Sequence, residues 1–266
     1  MKIIAFNQLR NELSKGNLEN WFRSVSFCDY IYIYDQNSDD GSKEYYKKFP
    51  NVKVIESPVN DFANELICKQ KLLDMVLIDH PDVDWIFSID GDIVLDGRLC
   101  KNPELIRGLC ENNSGADAIA MGHYNLWRSD KYYRVDNMFH YIDQNGLPVL
   151  WKNTGNLQFD NKPGLHQAQY PKTIKNAVKC GYYLIHRGFA TDYQILEKIK
   201  VYKSMQATEW PKGIDQKKYT IHRFMHEDEL LLGRVPDYIF PEWYSLREND
   251  NPFELKPMIK VAPEFV

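Results

Sequence analysis

The chain has 266 residues, of which 44% are hydrophobic and 26% charged, a mixture that is typical of one large α/β domain. Its formal net charge of −4 argues against a basic surface for nucleic acid, so we expect no nucleic-acid partner. Its five cysteines show neither CxxC pairs nor metal-ligand spacing, which favours reduced and mostly buried thiols.

The N-terminus carries no pattern of a targeting segment. Met1 leads directly into a strand-like run, and no apolar run in the chain reaches the roughly 20 residues that a membrane span needs. We therefore expect a cytoplasmic protein without a transmembrane segment, for which peripheral association with a membrane stays open.

Strand and helix patterns alternate over the first 122 residues. Runs rich in β-branched and aromatic residues predict strands at 2–6, 30–34, 52–55, 85–89 and 116–122. Apolar residues at helical spacing predict helices at 13–27, 42–49 and 64–78. This alternation predicts βαβ units and a mainly parallel central sheet with helices on both faces.

The pattern is looser beyond about residue 123. Aromatic residues scattered among Asp, Asn and Gly predict irregular strands and loops laid over the sheet. Residues 182–186 predict a further strand and residues 191–204 a helix. Five prolines after residue 235 indicate that 211–266 form a partly helical, partly extended extension packed on the same domain.

An acidic turn, Asp90-Gly91-Asp92, follows the fourth predicted strand. Ligands of open α/β sheets bind beyond the carboxyl ends of the strands, and side chains two apart on an extended chain share a face. Two such carboxylates repel each other, and Mg²⁺ or Mn²⁺ relieves this repulsion while keeping coordination positions for phosphate. The turn therefore predicts a metal site that neutralises a diphosphate leaving group, with a solvated turn as the alternative.

Three segments, each following a predicted strand, recur in the order known from one enzyme family. They are Leu9-Arg10-Asn11-Glu12, Asp35-Gln36-Asn37-Ser38-Asp39-Asp40-Gly41-Ser42 and Ile89-Asp90-Gly91-Asp92. Over roughly its first hundred residues the chain thus resembles the family 2 glycosyltransferases of the GT-A fold. The resemblance implies a GT-A, Rossmann-like nucleotide-diphospho-sugar transferase fold over 1–210, with a donor-binding half at 1–122 and an acceptor half at 123–210.

The resemblance also implies an activity. A metal-dependent transferase of this family moves a sugar from a nucleotide-diphosphate donor to a hydroxyl acceptor, here a glycan, a lipid or a protein-linked group. We expect an inverting reaction, and a retaining one stays open.

Donor contacts follow from the same resemblance. It implies that Leu9 and Arg10 border the nucleotide base and that Asp35 lies near the same ring, whereas Gln36 stands where the family often has a second acid. A cap of an Asx-type turn is the alternative role for Asp35. Lys69 matches a helical region that often supplies a basic residue to the donor, with a solvated helix face as its alternative.

Metal contacts are implied as well. Asp90 would contact ribose or metal-bound water, and Asp92 would ligate Mn²⁺ or Mg²⁺ directly. His186, after a late strand, matches a histidine that reaches back to the metal in a subgroup of the family, with a structural role as the alternative. His166 lies in a segment that resembles a Leu-His-Glu element, although Gln167 replaces the acid, and it is a candidate contact of phosphate or acceptor.

The base that activates the acceptor has no clear match in the sequence. Inverting transfer needs a carboxylate or a histidine to take the proton of the acceptor hydroxyl. We favour Asp136 because the aromatic residues around it could stack on a sugar, and a salt bridge to Arg128 or Arg134 is its alternative. The other candidates are Asp160, Asp192 and the acidic residues 227–229.

Two other functions remain open from the sequence. A phosphatase of the haloacid dehalogenase type also carries Asp-x-Asp after a strand, so that Asp90 would attack phosphate and Asp92 would be the acid–base partner. That motif normally ends the first strand of its domain, whereas three predicted strands precede it here. A non-catalytic module that binds sugar nucleotides is the other alternative, because no base is evident.

Overall fold

A computed structural model gives the structure of the chain. It describes residues 1–135, 146–162, 169–191, 193–194, 231–244 and 260–261. Within these ranges no helix has both the length and the apolar character that crossing a membrane requires.

The described residues form eleven strands and five α-helices. The strands are β1 (Ile3–Leu9), β2 (Tyr30–Asp35), β3 (Val52–Glu56), β4 (Trp85–Phe87), β5 (Ile93–Leu95), β6 (Ala118–Asn125), β7 (Tyr132–Arg134), β8 (Leu147–Lys152), β9 (Ala177–His186), β10 (Leu231–Arg234) and β11 (Lys260–Val261). The helices are α1 (Leu18–Val25), α2 (Ser42–Tyr46), α3 (Glu65–Asp79), α4 (Gly97–Lys101) and α5 (Glu104–Asn112). Short 3-10 turns cover Phe62–Asn64 and Asp237–Ile239.

Eight of the strands form one sheet in the order β3-β2-β1-β4-β8-β6-β9-β5. Six of them run in one direction, because β4 and β6 are both antiparallel to the intervening β8 and β9 is parallel to β6. Only β8 and β5 run the other way within this sheet. The predicted α/β class with a mainly parallel sheet is confirmed.

Helices cover both faces of this sheet, as predicted. On one face, α1 buries Leu18, Trp21, Phe22 and Val25, whose spacing places them on one side of the helix. On the other face, α3 buries Leu66, Leu72, Leu73 and Val76 against residues of β1 and β2. The whole of β1 is buried between these layers, as expected for a central strand of a sheet covered on both faces.

The predicted helix at 13–27 is shorter in the structure. It begins at Leu18, because the backbone N–H groups of Asn17 and Leu18 both donate to the carbonyl of Glu12 and close a turn before the helix. Gly16 has a φ of 73° in this turn, a conformation that glycine adopts without steric cost.

The region after residue 123 contains a strand that the sequence did not reveal. The prediction of irregular strands laid over the sheet is wrong for β8, which lies inside the sheet between β4 and β6. By contrast, β7 belongs to a separate three-stranded sheet in the order β11-β10-β7.

Residues 231–244 pack against the last strands of the large sheet. Val235 and Ile239 share a buried cluster with Val94 and Ile185. The backbone passes directly over Gly97, where an added Cβ would lie 2.5 Å from the carbonyl oxygen of Phe240. The chain therefore returns to the end of the sheet that carries β5 and β9.

Candidate functional site

The candidate site lies where the strand order of the sheet reverses. From β1 the chain proceeds outward to β2 and β3, and it then returns to place β4 on the other side of β1. Ligands of open α/β sheets bind in the crevice beyond the carboxyl ends of the strands at such a point. The segments after β1, β2 and β4, which are the three that carry the family resemblance, meet at this edge.

Asp35, at the end of β2, is fully buried and hydrogen-bonded to the loop and the helix that follow it. Its Oδ1 accepts from the backbone N–H of Ser38 at 2.8 Å, and its Oδ2 accepts from the hydroxyl of Tyr46 at 3.1 Å. Burial, followed by the charge of Asp35, raises the pKa of Tyr46, which keeps that hydroxyl a donor. These contacts are those of the turn-capping alternative, in which Asp35 supports the loop.

The loops after β1 and β2 are joined by side-chain hydrogen bonds. The backbone N–H of Asn11 donates to Oγ of Ser38 at 3.0 Å, and the Asn11 amide both donates to Asp39 Oδ1 and accepts from the Asp39 backbone N–H. Farther along, the backbone N–H of Ser14 donates to Asp40. The polar residues of the second motif thus hold the two loops together as one rim of the site.

Leu9 and Arg10 begin this rim. The side chain of Leu9 belongs to the core, and its carbonyl accepts from the backbone N–H of Gln36 at 2.9 Å. Only the backbone of Leu9 can therefore border a ligand. Arg10 is partly exposed, and its Nε is buried without a hydrogen-bond partner among the described residues.

Lys69 projects from α3 toward the acidic turn. It is 2% exposed, so the alternative of a solvated helix face is wrong. Its Nζ contacts Oε1 of Glu65 at 2.7 Å; burial lowers the pKa of Lys69, but the charges of Glu65 and Asp90 outweigh burial and raise it. Lys69 therefore stays cationic beside Asp90.

Asp90 is the first carboxylate of the turn and is partly buried. Its Oδ2 accepts a hydrogen bond from Nε2 of Gln169 at 2.8 Å. Burial raises the pKa of Asp90, Lys69 opposes this increase, and the charge of Asp92 adds to it. The turn thus holds two carboxylates, with the buried ammonium group of Lys69 beside Asp90.

Asp92 and His186 are brought together by strand pairing. In the ladder between β5 and β9, Ile93 lies opposite His186, and in the ladder between β6 and β9, Asn125 lies beside His186. His186 Nε2 is 3.2 Å from Asp92 Oδ2, and His186 Nδ1 is 2.8 Å from Asn125 Oδ1. The side chains of His186 and Asp92 are 15% and 17% exposed, so a small ligand can reach both.

The donor atoms of this pair fit a divalent cation. Two cis ligands of an octahedral ion, each at roughly 2.1 Å from the metal, lie about 3 Å apart, close to the separation of Nε2 and Oδ2. Among the described residues no group of three or more His, Cys, Asp or Glu is arranged to hold a metal. Mg²⁺ sites commonly use one or two carboxylates and complete their shell with substrate phosphates and water.

Two neighbours of the site were not identified from the sequence. His123 stacks on His186 with ring centroids 6.3 Å apart, and burial, with the neighbouring His186, lowers its pKa to about 3. Arg187 is fully buried, its backbone N–H donates to the carbonyl of Asp92, and its Nη1 donates to the carbonyl of Gly16. In the sequence, the only indication of such neighbours was the pair of polar residues His123 and Asn125 at the end of the apolar run that forms β6.

Of the candidates for the base, only Asp160 lies within the part of the chain that the structure describes, and His166, the predicted contact of phosphate or acceptor, lies outside it. Asp136, Asp192 and the acidic residues 227–229 lie outside the described residues. Asp160 forms ion pairs with Lys162 at 3.8 Å and Lys172 at 3.5 Å, and its side chain is 41% exposed.

Comparison with known proteins identified no relative of the chain. No protein-family model matches the chain, and no curated protein matches it. The family 2 resemblance therefore remains a prediction that rests on the three segments and on the site that they form.

Proposed function

We propose that the protein is a metal-dependent glycosyltransferase of the GT-A fold, which moves a sugar from a nucleotide-diphosphate donor to a hydroxyl acceptor. The observation that carries the proposal is the pair of Asp92 and His186, whose donor atoms face each other at 3.2 Å beyond the carboxyl end of β4. The order β3-β2-β1-β4 supports it, because nucleotide-binding α/β sheets share this order and bind their ligand at the reversal.

In this proposal Asp92 and His186 hold Mn²⁺ or Mg²⁺, and Asp90 lies beside them for a ribose hydroxyl or metal-bound water. The bound ion would supply charge neutralisation for the diphosphate leaving group. Lys69 offsets part of the negative charge of the turn, and Gln169 fixes the carboxylate of Asp90 by its hydrogen bond. The joined loops after β1 and β2 form the rim along which the nucleotide lies.

Acceptor activation is assigned to Asp136 in an inverting reaction. A carboxylate there would take the proton of the acceptor hydroxyl as the sugar carbon is attacked. Asp136 lies outside the described residues, so this assignment rests on the aromatic residues that surround it in the sequence.

The test is a panel of sugar nucleotides with Mn²⁺, read first by thermal shift and then by product release. A donor that binds only the folded state raises the melting temperature in proportion to the logarithm of its concentration over Kd. The proposal expects nucleoside diphosphate to be released from a narrow set of donors, and this release to stop when the metal is chelated.

The other outcomes identify the alternatives. Inorganic phosphate released from many phosphate esters would show a phosphatase that uses Asp90 as its nucleophile. Binding of a sugar nucleotide with no release of product, even with a panel of hydroxyl acceptors, would show a binding module.

A further inference from the structure

Asn125 contacts His186 on the side away from Asp92. It lies at the end of β6, is 5% exposed, and its Oδ1 is 2.8 Å from His186 Nδ1. The parallel pairing of β6 with β9 sets Asn125 directly beside His186 in the ladder, so that the sheet itself fixes this contact. Both nitrogens of the imidazole are therefore engaged, each with an oxygen atom.

The two contacts of the ring cannot both be ordinary hydrogen bonds of a neutral imidazole. Such a ring carries one N–H, and its other nitrogen is an acceptor. The amide oxygen of Asn125 can only accept, so the 2.8 Å contact requires the proton on Nδ1. Nδ1 therefore carries a proton whether the ring is neutral or cationic, and Nε2 is the nitrogen that faces Asp92 and that a cation would bind in place of any proton there.

The lengths of the two contacts agree with a proton on Nδ1. A hydrogen bond from a nitrogen to a carboxylate contracts to about 2.7–2.9 Å when it is charge-assisted. The Nε2 to Oδ2 separation of 3.2 Å is longer than that, and it suits two ligand atoms on either side of a cation.

We infer that Asn125 is a positioning residue that fixes the Nδ1–H tautomer of His186 and thereby presents Nε2, with Asp92, to a divalent cation. Ring contacts support this orientation, because His123 stacks on the imidazole and Phe189 meets it edge-on at 5.4 Å. Outer partners of this kind typically change metal affinity by about 10–100-fold. The inference rests on the proposed metal-dependent function, and Asn125 itself touches neither the cation nor the substrate.

The opposite amide orientation would make the site a different one. If the amide of Asn125 were rotated by 180°, its NH₂ group would donate to Nδ1 and leave the proton of His186 on Nε2. Nε2 would then donate a hydrogen bond to Asp92 and would have no lone pair with which to bind a cation. The two states differ in the position of one proton, which can be measured.

The first test is long-range ¹H–¹⁵N NMR of the histidine-labelled, metal-free full chain, in which a His186→Gln variant assigns the resonance. The inference expects a proton on Nδ1 of His186, and the Nδ1–H tautomer at a pH where the ring is neutral. An Nε2–H tautomer in the wild-type protein would overturn it without any variant having to fold.

The second test measures Mn²⁺ binding by electron paramagnetic resonance in Asn125→Asp and Asn125→Leu, with melting curves to confirm folding. Asp retains an acceptor for Nδ1–H, so we expect its Kd for Mn²⁺ to stay close to that of the wild type. Leu removes the acceptor, so we expect a Kd about 10–100-fold higher. Asn113→Leu, beyond α5 and before β6 begins, is the matched control and should leave the Kd unchanged.

The outcomes separate this inference from the proposed function. Wild-type protein that binds no Mn²⁺ would refute the metal site and the function built on it. Mn²⁺ that binds wild type and Asn125→Leu equally well would leave the function intact and refute the role of Asn125.

Discussion

Asp35 and Asp92 both lie at the carboxyl edge of the large sheet, yet their carboxylates make different kinds of contact. Asp35 is fully buried, and its two oxygens accept hydrogen bonds from the loop and the helix that follow it. Asp92 is 17% exposed and faces a ring nitrogen of His186. An acid after a strand therefore supports its loop where the following chain brings hydrogen-bond donors to it, and it is a candidate metal ligand where a second side chain that can bind a metal lies beside it.

The chain after each acid accounts for the difference. After β2 the loop turns back at once, so that the backbone N–H of Ser38 meets Asp35. After Asp92 the chain enters β5, which pairs with β9, while the Asp92 carbonyl accepts from the backbone N–H of Arg187. The backbone carbonyl of Asp92 thus takes part in the hydrogen bonding between β5 and β9, and the carboxylate of Asp92 faces the site.

Asp92→Asn should show most clearly that Asp92 and Asp35 have different roles. We expect metal-dependent release of nucleoside diphosphate to fall by at least about 100-fold, because a neutral amide is a poor ligand for a hard cation and each 1.4 kcal/mol of lost stabilisation is about tenfold in rate. The melting temperature should stay close to that of the wild type. Asp82→Asn, beside Lys2 at the opposite end of the strands, is the control. Full activity of Asp92→Asn would end the metal hypothesis.

His186→Ala should act on metal affinity with a smaller effect. Loss of the imidazole removes one of the two proposed protein ligands, so we expect the Mn²⁺ concentration for half-maximal activity to rise by at least about 10–100-fold, the range that loss of an outer-shell partner alone produces. A Mn²⁺ titration of donor turnover measures this. His80→Ala, which removes a ring packed against Tyr30 at the start of β2, should not alter the titration. An unchanged metal response in His186→Ala would return this residue to a structural role.

Asp35→Asn should affect stability and leave metal binding intact. The amide keeps a single oxygen, so its NH₂ group must face the N–H of Ser38 or the hydroxyl of Tyr46. We expect the free energy of unfolding in a denaturant titration to fall by about 1–3 kcal/mol, the usual cost of an unsatisfied buried donor. If Mn²⁺ affinity fell while stability did not, Asp35 would be a ligand contact and the contrast with Asp92 would disappear.

The sequence was sufficient for the parts of the fold that depend on local pattern. The apolar runs of β1 and β2 and the helical spacing of α3 each predict their element to within a few residues, and their alternation predicts the parallel sheet. The location of the acidic turn at the carboxyl edge follows from the same alternation. These features are set by side-chain periodicity within a single segment.

The sequence was insufficient where distant segments decide the result. The three residues of β5 are too few to show a period, and the position of β8 inside the sheet depends on its pairing with β4 and β6. Asn125 meets His186 through a register between strands that are 61 residues apart. The burial of Lys69 likewise follows from how α3 packs on β1 and β2, which its helical pattern alone does not specify.

Asp90→Asn should have the smallest effect of these variants, and it should raise the free energy of unfolding, which Asp35→Asn lowers. Burial, together with the charge of Asp92, raises the pKa of Asp90 against the opposing effect of Lys69. A carboxyl group whose pKa is higher in the folded state costs stability as the pH rises from its unfolded pKa to its folded pKa, and the full cost persists above that window. Removing the charge should therefore stabilise the metal-free protein at neutral pH by about 0.5–2 kcal/mol, with a higher melting temperature.

A pH series of melting curves shows whether charge is the cause. The advantage of Asp90→Asn over the wild type should shrink as the pH falls toward the unfolded pKa of Asp, about 3.9, because Asp90 is then neutral in both states. Lys69 keeps its contact with Glu65 at 2.7 Å in the variant, so its own charge stays paired. If Asp90→Asn instead melted below the wild type at pH 7, the pairing of Asp90 with Lys69 would outweigh its burial. Asp90 would then belong with Asp35 as a structural acid, and Asp92 alone would supply the carboxylate of the site.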